Sequence, residues 1–149
     1  MAVTVRRVKL ETIVDLRHAV LREGLPRESA IFEGDDDPNS RHYGAFDGDR
    51  LVGCATLHLN SYQGVPAWQL RGMAVAPEFR RQNIGRAMLD YVDIDTGSDP
   101  SVRLFWCNAR VPATLFYQSL GWEIVSERFE IPTAGPHVRM VRPAKAAQR

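Results

Sequence analysis

The stretch LRGMAVAPEFRRQNIGRAML, residues 70–89, constrains the chain more than any other. An apolar run ends at Ala76-Pro77, a short basic segment follows, and apolar residues then recur at helical spacing. That is a strand, a loop and the start of a helix. A plain connection needs only a turn residue and a cap, yet Arg80, Arg81, Gln82, Asn83, Gly85 and Arg86 crowd this one. The first N–H groups of a helix have no partner and the macrodipole is positive there, so anions bind readily. Gly85 lets a ligand approach the backbone, and Asn83 takes a positive φ more easily than most residues. The loop reads as a pyrophosphate cradle; the plain alternative is a solvated basic loop that caps a helix. There is no G-x-x-x-x-G-K-[ST] and no G-x-G-x-x-G, which argues against P-loop and Rossmann nucleotide sites.

The rest of the chain supplies the frame. VTVRRVKL is a first strand, and ETIVDLRHAVLREG carries Ile13, Leu16 and Val20 with Val14 and Leu21 at helical spacing. Thr12 with Asp15 resembles a capping box, and Gly24 is a stop signal. LPRESAIFEGDDDPNS is loop with one helical turn around residues 28–32, and HYGAFDGDRLVGCATLHL is a hairpin turning at Asp47-Gly48-Asp49. After the strand AWQLRGMAV comes a helix over about residues 85–92, which DTGSDPS breaks. VRLFWCNA is a strand, PATLFYQSLG a short helix with Pro112 near its first turn and Gly121 as its stop, and WEIVSERFEI and HVRMVRP are closing strands. The order β-α-β-β-β-α-β-α-β-β, with an optional helical turn after the first helix, predicts one mixed α/β domain over residues 1–149.

Net charge is +1, so no global field favours nucleic acid or an anionic membrane, and any anion site must be local. Cys54 and Cys107 lie in apolar runs and match no zinc or redox spacing, as expected of reduced, buried thiols. MAVTVRRVKL has no apolar leader core and no run approaches a membrane span, so a cytoplasmic protein is expected.

A second constellation lies in FWCNARVPATLFYQSLGW. Alternation puts Leu104, Trp106 and Asn108 on one strand face and Arg103, Phe105 and Cys107 on the other. An Asn at a strand end can bind an exposed amide; Tyr117 on the next helix could equally be core packing with a satisfied hydroxyl. Together the two constellations resemble the GCN5-related N-acetyltransferases. Gln82-Asn83-Ile84-Gly85-Arg86-Ala87 is similar to that family's Q/R-x-x-G-x-G/A signature. NARVPATLFYQSLGW is similar to the motif that follows it, with Asn108, Ala113, Phe116-Tyr117 and Gly121-Trp122 in matching places.

The resemblance implies a central, mixed, mostly antiparallel twisted sheet of about seven strands with helices on both faces. It implies acetyl-CoA as cosubstrate, held in a cleft where the strand ending at Val75 splays from the strand ending at Asn108. Met73, Ala74 and Val75 would line the pantetheine arm, the backbone of Met73 and Val75 pairing with its amides. Arg80, Arg81, Gln82, Asn83, Ile84, Gly85, Arg86 and Ala87 would hold the pyrophosphate, Asn108 would touch the arm, and Gly72 would mark a bulge that opens the cleft. A neutral amine attacks the thioester directly and no metal is needed. Tyr117 matches the family's general acid, since a phenol of ordinary pKa ~10 can protonate a comparably basic thiolate.

The base is open. Many relatives carry a carboxylate near the position of Arg71, so a water chain, His18, His137 or an acid from FEGDDD would have to serve. Arg71 could instead pair with a carboxylate on the substrate, implying an amino-acid-like acceptor, or with one of the protein's own acids. Arg17 and His18 flank the apolar face of the first helix and could look into the cleft; His137 begins the last strand, near the acceptor site. Glu33, Asp35, Asp36 and Asp37 could form an acidic wall that recruits a cationic amine, or be solvated loop. The expected partner is a small-molecule amine, with no nucleic acid and no membrane; oligomeric state stays open, though members of the family often form homodimers. A protein N-terminal or lysine acetyltransferase and a non-catalytic acyl-CoA-binding module are the alternatives.

Overall fold

In the computed structural model, which describes residues 3–145, one sheet of eight strands carries three α-helices. The chain runs β1 (Thr4–Val8), α1 (Leu10–Leu21), a 3₁₀ turn at Arg27–Ala30, β2 (Arg41–Asp47), β3 (Arg50–Leu59) and β4 (Trp68–Val75). It continues through α2 (Ile84–Thr96), β5 (Leu104–Arg110), α3 (Thr114–Ser119), β6 (Glu123–Ile124), β7 (Phe129–Ile131) and β8 (Gly135–Pro143). Strand order is β1-β2-β3-β4-β5-β8-β6, with β7 also on β8, and only β4 and β5 run parallel.

The sheet has eight strands because WEIVSERFEI, which reads as one strand, divides into β6 and β7. Ile124 lies opposite Met140 and Phe129 opposite His137, so β8 advances less than its partner and the surplus residues leave the ladder. The expected capping box is absent: α1 starts at Leu10 behind Lys9, so Thr12 and Asp15 are already inside the helix and Asp15 binds Arg27 instead. Helix α2 runs past residue 92 because distant partners hold its last turn. Asp93 pairs with Arg142, and Asp95 accepts from Arg41 (3.0 Å) and from the Tyr43 hydroxyl (2.7 Å).

Strand alternation sorts the helices to opposite faces. Ile13 of α1 packs with Cys54 and Ala74 on one face. Ile84, Met88, Leu89 and Val92 of α2, with Tyr117 of α3, pack with Val52, Ala55, Leu57, Leu70 and Phe105 on the other. A Cβ at Gly53 would meet Met88 and Ile84 at 3.0 and 3.1 Å, so α2 lies directly on β3 there.

Beneath α1 lies a buried polar network. Arg17 is fully buried and donates to Asp35 (2.6 Å), to the Ala30 carbonyl (2.8 Å) and to Thr56 (2.7 Å). Asp35 also accepts the Phe32 amide (2.7 Å) and binds His58 Nε2 (3.1 Å), while His42 bridges Thr56 and the Asp35 carbonyl. The network straps residues 30–35 to β2 and β3 and fixes Phe32 above the sheet. Burial opposes the Asp35 charge, but hydrogen bonds from His58, Arg17 and the Phe32 amide outweigh it and hold this carboxyl far below the usual range. Burial lowers His42, which therefore stays neutral.

Breaking a buried pair leaves an uncompensated charge, so Asp35→Asn should destabilise by about 3–5 kcal/mol. Its thermal midpoint should fall by roughly 6–20 °C at pH 7. Both shifts have the same sign, since the unfolded chain binds more protons than the native one. The His42 contribution should fade as pH drops below ~6.5 and that of Asp35 below ~4. Denaturant melts from pH 8 to pH 3 check this; a wild type whose stability rises on acidification would contradict it.

Candidate active site

The parallel pairing of β4 and β5 stops almost where it starts, with Trp68 opposite Phe105 and Gln69 opposite Trp106. Beyond it the strands separate around a cleft of about 200 Å³, lined by Arg71, Gly72 and Met73 on one side and residues 107–110 on the other. Gly72 is the hinge of this opening. Its φ is +62°, and the register slips there, with Cys54 opposite Ala74 but Thr56 opposite Arg71. That is the expected bulge, and only glycine suits it: a Cβ would lie 2.8 Å from Arg17 Nε and 3.0 Å from the Phe32 ring. The Ala76 amide donates to Val52 on β3 (2.8 Å), so alternation turns the backbone groups of Val75 and Met73 away from β3, toward the cleft edge.

The same alternation corrects the reading of Ala74, whose backbone faces β3 and whose side chain packs against Ile13 and Cys54. Past β4, a 3₁₀ turn at Pro77–Phe79 leads into the basic loop. Asn83 is left-handed (φ +60°), as its residue type suggested, and so is Arg81 (φ +65°), which nothing in its type suggested. Among the described residues, none of the amides of residues 81–86 donates to a protein acceptor. The Ala87 amide does, to the Asn83 carbonyl (2.9 Å), so the row of open donors ends one residue short of the expected cradle. The side chains of Arg80, Arg81, Gln82, Asn83 and Arg86 are exposed, whereas that of Ile84 is core. Gly85 has a packing reason beyond ligand approach: a Cβ would meet Phe116 at 3.0 Å and Met73 at 3.4 Å.

Tyr117 lines the cleft from α3, wedged between Phe116 (5.2 Å) and Trp122 (5.4 Å). Its hydroxyl makes no hydrogen bond to another described residue, and burial pushes its pKa well above the ordinary phenol value, with Cys107 adding to the rise. The phenol keeps its proton. Burial likewise pushes the Cys107 thiol up to about 12, so it offers no thiolate. Asn108 faces the cleft with its Oδ1 engaged by Arg139 Nε (3.2 Å), leaving its amide NH₂ available. His137 reaches the cleft from β8, opposite Arg110, with Nδ1 2.8 Å from the Gly135 carbonyl. A carbonyl only accepts, so Nδ1 carries a proton, and in the neutral ring Nε2 is then the nitrogen with the free lone pair.

The structure divides the residues expected at the acceptor. Arg71 and His137 line the cleft; Arg17 and His18 do not. Arg17 is committed to Asp35 under the Gly72 bulge, and His18 Nε2 binds the Leu25 carbonyl (2.7 Å). The acidic wall is also absent: Asp35 is buried in its ion pair, and Glu33, Asp36 and Asp37 line no part of the cleft. In its place stand Arg22 and Arg110, which the sequence reading left out. Strand β5 continues past Asn108, and Arg110 is two residues on, so the alternation already put it on the Asn108 face.

A family profile described as an acetyltransferase (GNAT) domain matches residues 38–124, more than half of the chain. YitI of Bacillus subtilis (strain 168), an uncharacterized N-acetyltransferase, is 28% identical over 147 residues, spanning 97% of this chain and 98% of that protein. Escherichia coli ElaA shares the fold with a TM-score of 0.78 at 20% identity, over 95% of this chain and 99% of that one. An aminoglycoside 6'-N-acetyltransferase complexed with coenzyme A does so with a TM-score of 0.75 at 17% identity, over 98% of this chain and 99% of that one. The family profile and the N-acetyltransferase relative make this protein an acyltransferase, and the solved structures share its fold. The chain belongs to the GNAT acetyltransferase family. Among the described residues no helix is long and apolar enough to cross a membrane.

Because Phe116 and Met73 close over Gly85, Gly85→Val should overpack this contact and destabilise by about 1–3 kcal/mol. Urea unfolding of the purified variant measures it; unchanged stability would mean that Phe116 moves aside freely.

Proposed function

We propose that the protein is an acetyl-CoA-dependent N-acetyltransferase acting on the primary amine of a small molecule. The observation that carries this reading is the gap between β4 and β5, which opens after Gln69 and Trp106 and which Tyr117 lines. An extended pantetheine arm lies along the free edge of β4, bonded to the backbone of Met73 and Val75 as an added strand would be. Its pyrophosphate rests on the open amides of residues 81–86, with Arg80, Arg81 and Arg86 around it. Asn108 gives its amide NH₂ to the arm.

The amine lone pair attacks the thioester carbon, whose oxygen is polarised by a β4 amide at the cleft edge. His137 Nε2 takes the proton that the amine sheds, since His18 and Asp35 are engaged elsewhere. The carbon–sulfur bond then breaks and Tyr117 gives its proton to the departing thiolate. The raised Tyr117 pKa keeps that proton in place across the neutral range.

Acetyl-CoA at about 100 times its dissociation constant should stabilise the protein by roughly 2.7 kcal/mol. Thermal unfolding should show this as a midpoint several degrees higher, with CoA acting likewise and ATP and NADPH inert. The same shift with ATP would reduce the loop to a general phosphate site. In Tyr117→Phe, kcat on the best acceptor of an amine panel should fall by about 10²-fold or more at unchanged acetyl-CoA affinity. Full turnover in this variant would remove Tyr117 from the acid role.

A further inference from the structure

Three guanidiniums from three separate elements meet at the α1 side of the cleft. Arg22 caps α1, Arg71 stands on β4 just before the bulge, and Arg110 ends β5. All three line the same cavity. Arg22 and Arg110 both donate to the Leu21 carbonyl, at 3.0 and 3.4 Å, which draws two like charges together at the end of the helix. Arg71 and Arg22 share the face of Phe32, at 4.6 and 5.1 Å from its centroid.

Among the described residues none of the three has an ion-pair partner, in contrast to Arg7, Arg17, Arg27, Arg41, Arg50 and Arg142. The carboxylates whose charge reaches Arg71 are those of Asp35 and Glu33. Asp35 is already engaged by Arg17, His58 and the Phe32 amide, and Glu33 is exposed on the loop, outside the cleft. A guanidinium fork carries more N–H donors than one shared carbonyl absorbs. Burial lowers both Arg22 and Arg71, and the neighbouring charges of Arg110 and Arg71 lower Arg22 further. Such an arrangement is relieved by an anion, and guanidiniums match a carboxylate in geometry as well as charge. The pyrophosphate of the cosubstrate is not that anion in our reading, because its open amides lie at the start of α2, which packs on the opposite face of the sheet.

We propose that Arg22, Arg71 and Arg110 form a receptor for a carboxylate on the acceptor, so that the substrate is an amino acid or another small amine bearing a carboxylate. This rests on the acetyltransferase reading above and narrows it. With the carboxylate held at the arginines, the amine lies between them and the thioester, with His137 opposite Arg110 on the neighbouring strand. The cluster also helps the reaction directly. Nearby positive charge disfavours an ammonium, so the bound amine loses its proton more readily than it does in water. Leu21, Phe32, Ile131 and Ala134 add apolar wall around the arginines, which suits an acceptor with a hydrocarbon side chain. A polyamine or an aminoglycoside, cationic throughout, would be repelled.

The test uses wild type, Arg71→Gln and Arg110→Gln, first checked for acetyl-CoA affinity by calorimetry. Failure of the wild type to bind acetyl-CoA would sink the enzyme reading itself, independently of the acceptor. With binding established, thiol release is followed on a panel of glycine, leucine, phenylalanine and glutamate, their carboxamides, the decarboxylated amines, and the corresponding aminophosphonates. N-acetylated members of the amino-acid and carboxamide sets are titrated as product ligands in the presence of CoA. At least one carboxylate acceptor should exceed its carboxamide and its decarboxylated amine by about 100-fold in kcat/KM, on the scale of one charge-assisted contact pair. Its N-acetyl product should bind at least tenfold more weakly to either variant, with acetyl-CoA affinity unchanged. Preference for the aminophosphonates would assign the cluster to a phosphate-like group and overturn the carboxylate. Carboxamides or decarboxylated amines that serve as well as carboxylates, or N-acetyl amino acids that bind none of the proteins, would overturn it too.

Discussion

The buried pair between Arg17 and Asp35 is what the active side of this molecule is built on. A charged side chain in the middle of a helix, fully buried, is tolerable only if its partners arrive from elsewhere in the chain. Here they come from the loop after α1, from β3 and from the 3₁₀ turn. One ion pair therefore does three structural tasks. It ties α1 to the sheet, it folds residues 30–35 back over the strand edge, and it fixes Phe32 as a platform. Arg71 and Arg22 are presented to the cleft across that ring, and Arg17 sits against the same ring at 4.1 Å.

The two faces of the sheet divide the chemistry. On the α2 side the backbone supplies donors, because a helix start and two left-handed residues leave a row of amides without acceptors. On the α1 side the side chains supply charge. Between them the missing pairing of β4 and β5 makes a slot, with Tyr117, Asn108 and His137 placed around it by three different elements. Burial acts on two groups of this slot. It keeps both the Tyr117 phenol and the Cys107 thiol protonated, so the groups present can donate a proton but cannot act as anionic nucleophiles.

What could be read from the sequence was local. Residues 70–89 declare a strand, a left-handed loop and a helix in a continuous run, and Asn83, Gly72 and Gly85 signal their conformations or contacts by residue type. The face assignment of β5 also held, with Phe105 and Cys107 in the core and Asn108 toward the cleft. The misreadings were about partners far away in the chain. Arg17 follows Ile13 by one helical turn and so flanks the apolar face, a position from which a long side chain can turn under the sheet or into the cleft. Only Asp35, eighteen residues on, decides between the two. For the loop acids the sequence left a wall and a solvated loop open; Glu33, Asp36 and Asp37 are solvated, and a run of acids does not reveal that Asp35 is the one to turn inward. Thr12 and Asp15 matched a cap pattern, but α1 takes in two residues before Thr12, and a pattern of that kind carries no information about where the strand before it ends. The end of α2 was read short for a similar reason, since Asp93 and Asp95 weaken a helix locally and are held by arginines from other strands.

The bulge at Gly72 has a further consequence for how charge is organised. Arg17 lies immediately beneath the peptide there, close enough that a methyl group would touch its Nε, while Arg71 projects from the preceding residue into open space. Two guanidiniums of like charge thus meet on one aromatic ring with opposite surroundings. The charge of Arg17 is neutralised by the protein's own carboxylate; that of Arg71 lines the cleft. Since only glycine leaves room for Arg17 beside the backbone there, this single position lets a neutralised cation sit directly behind an unpaired one.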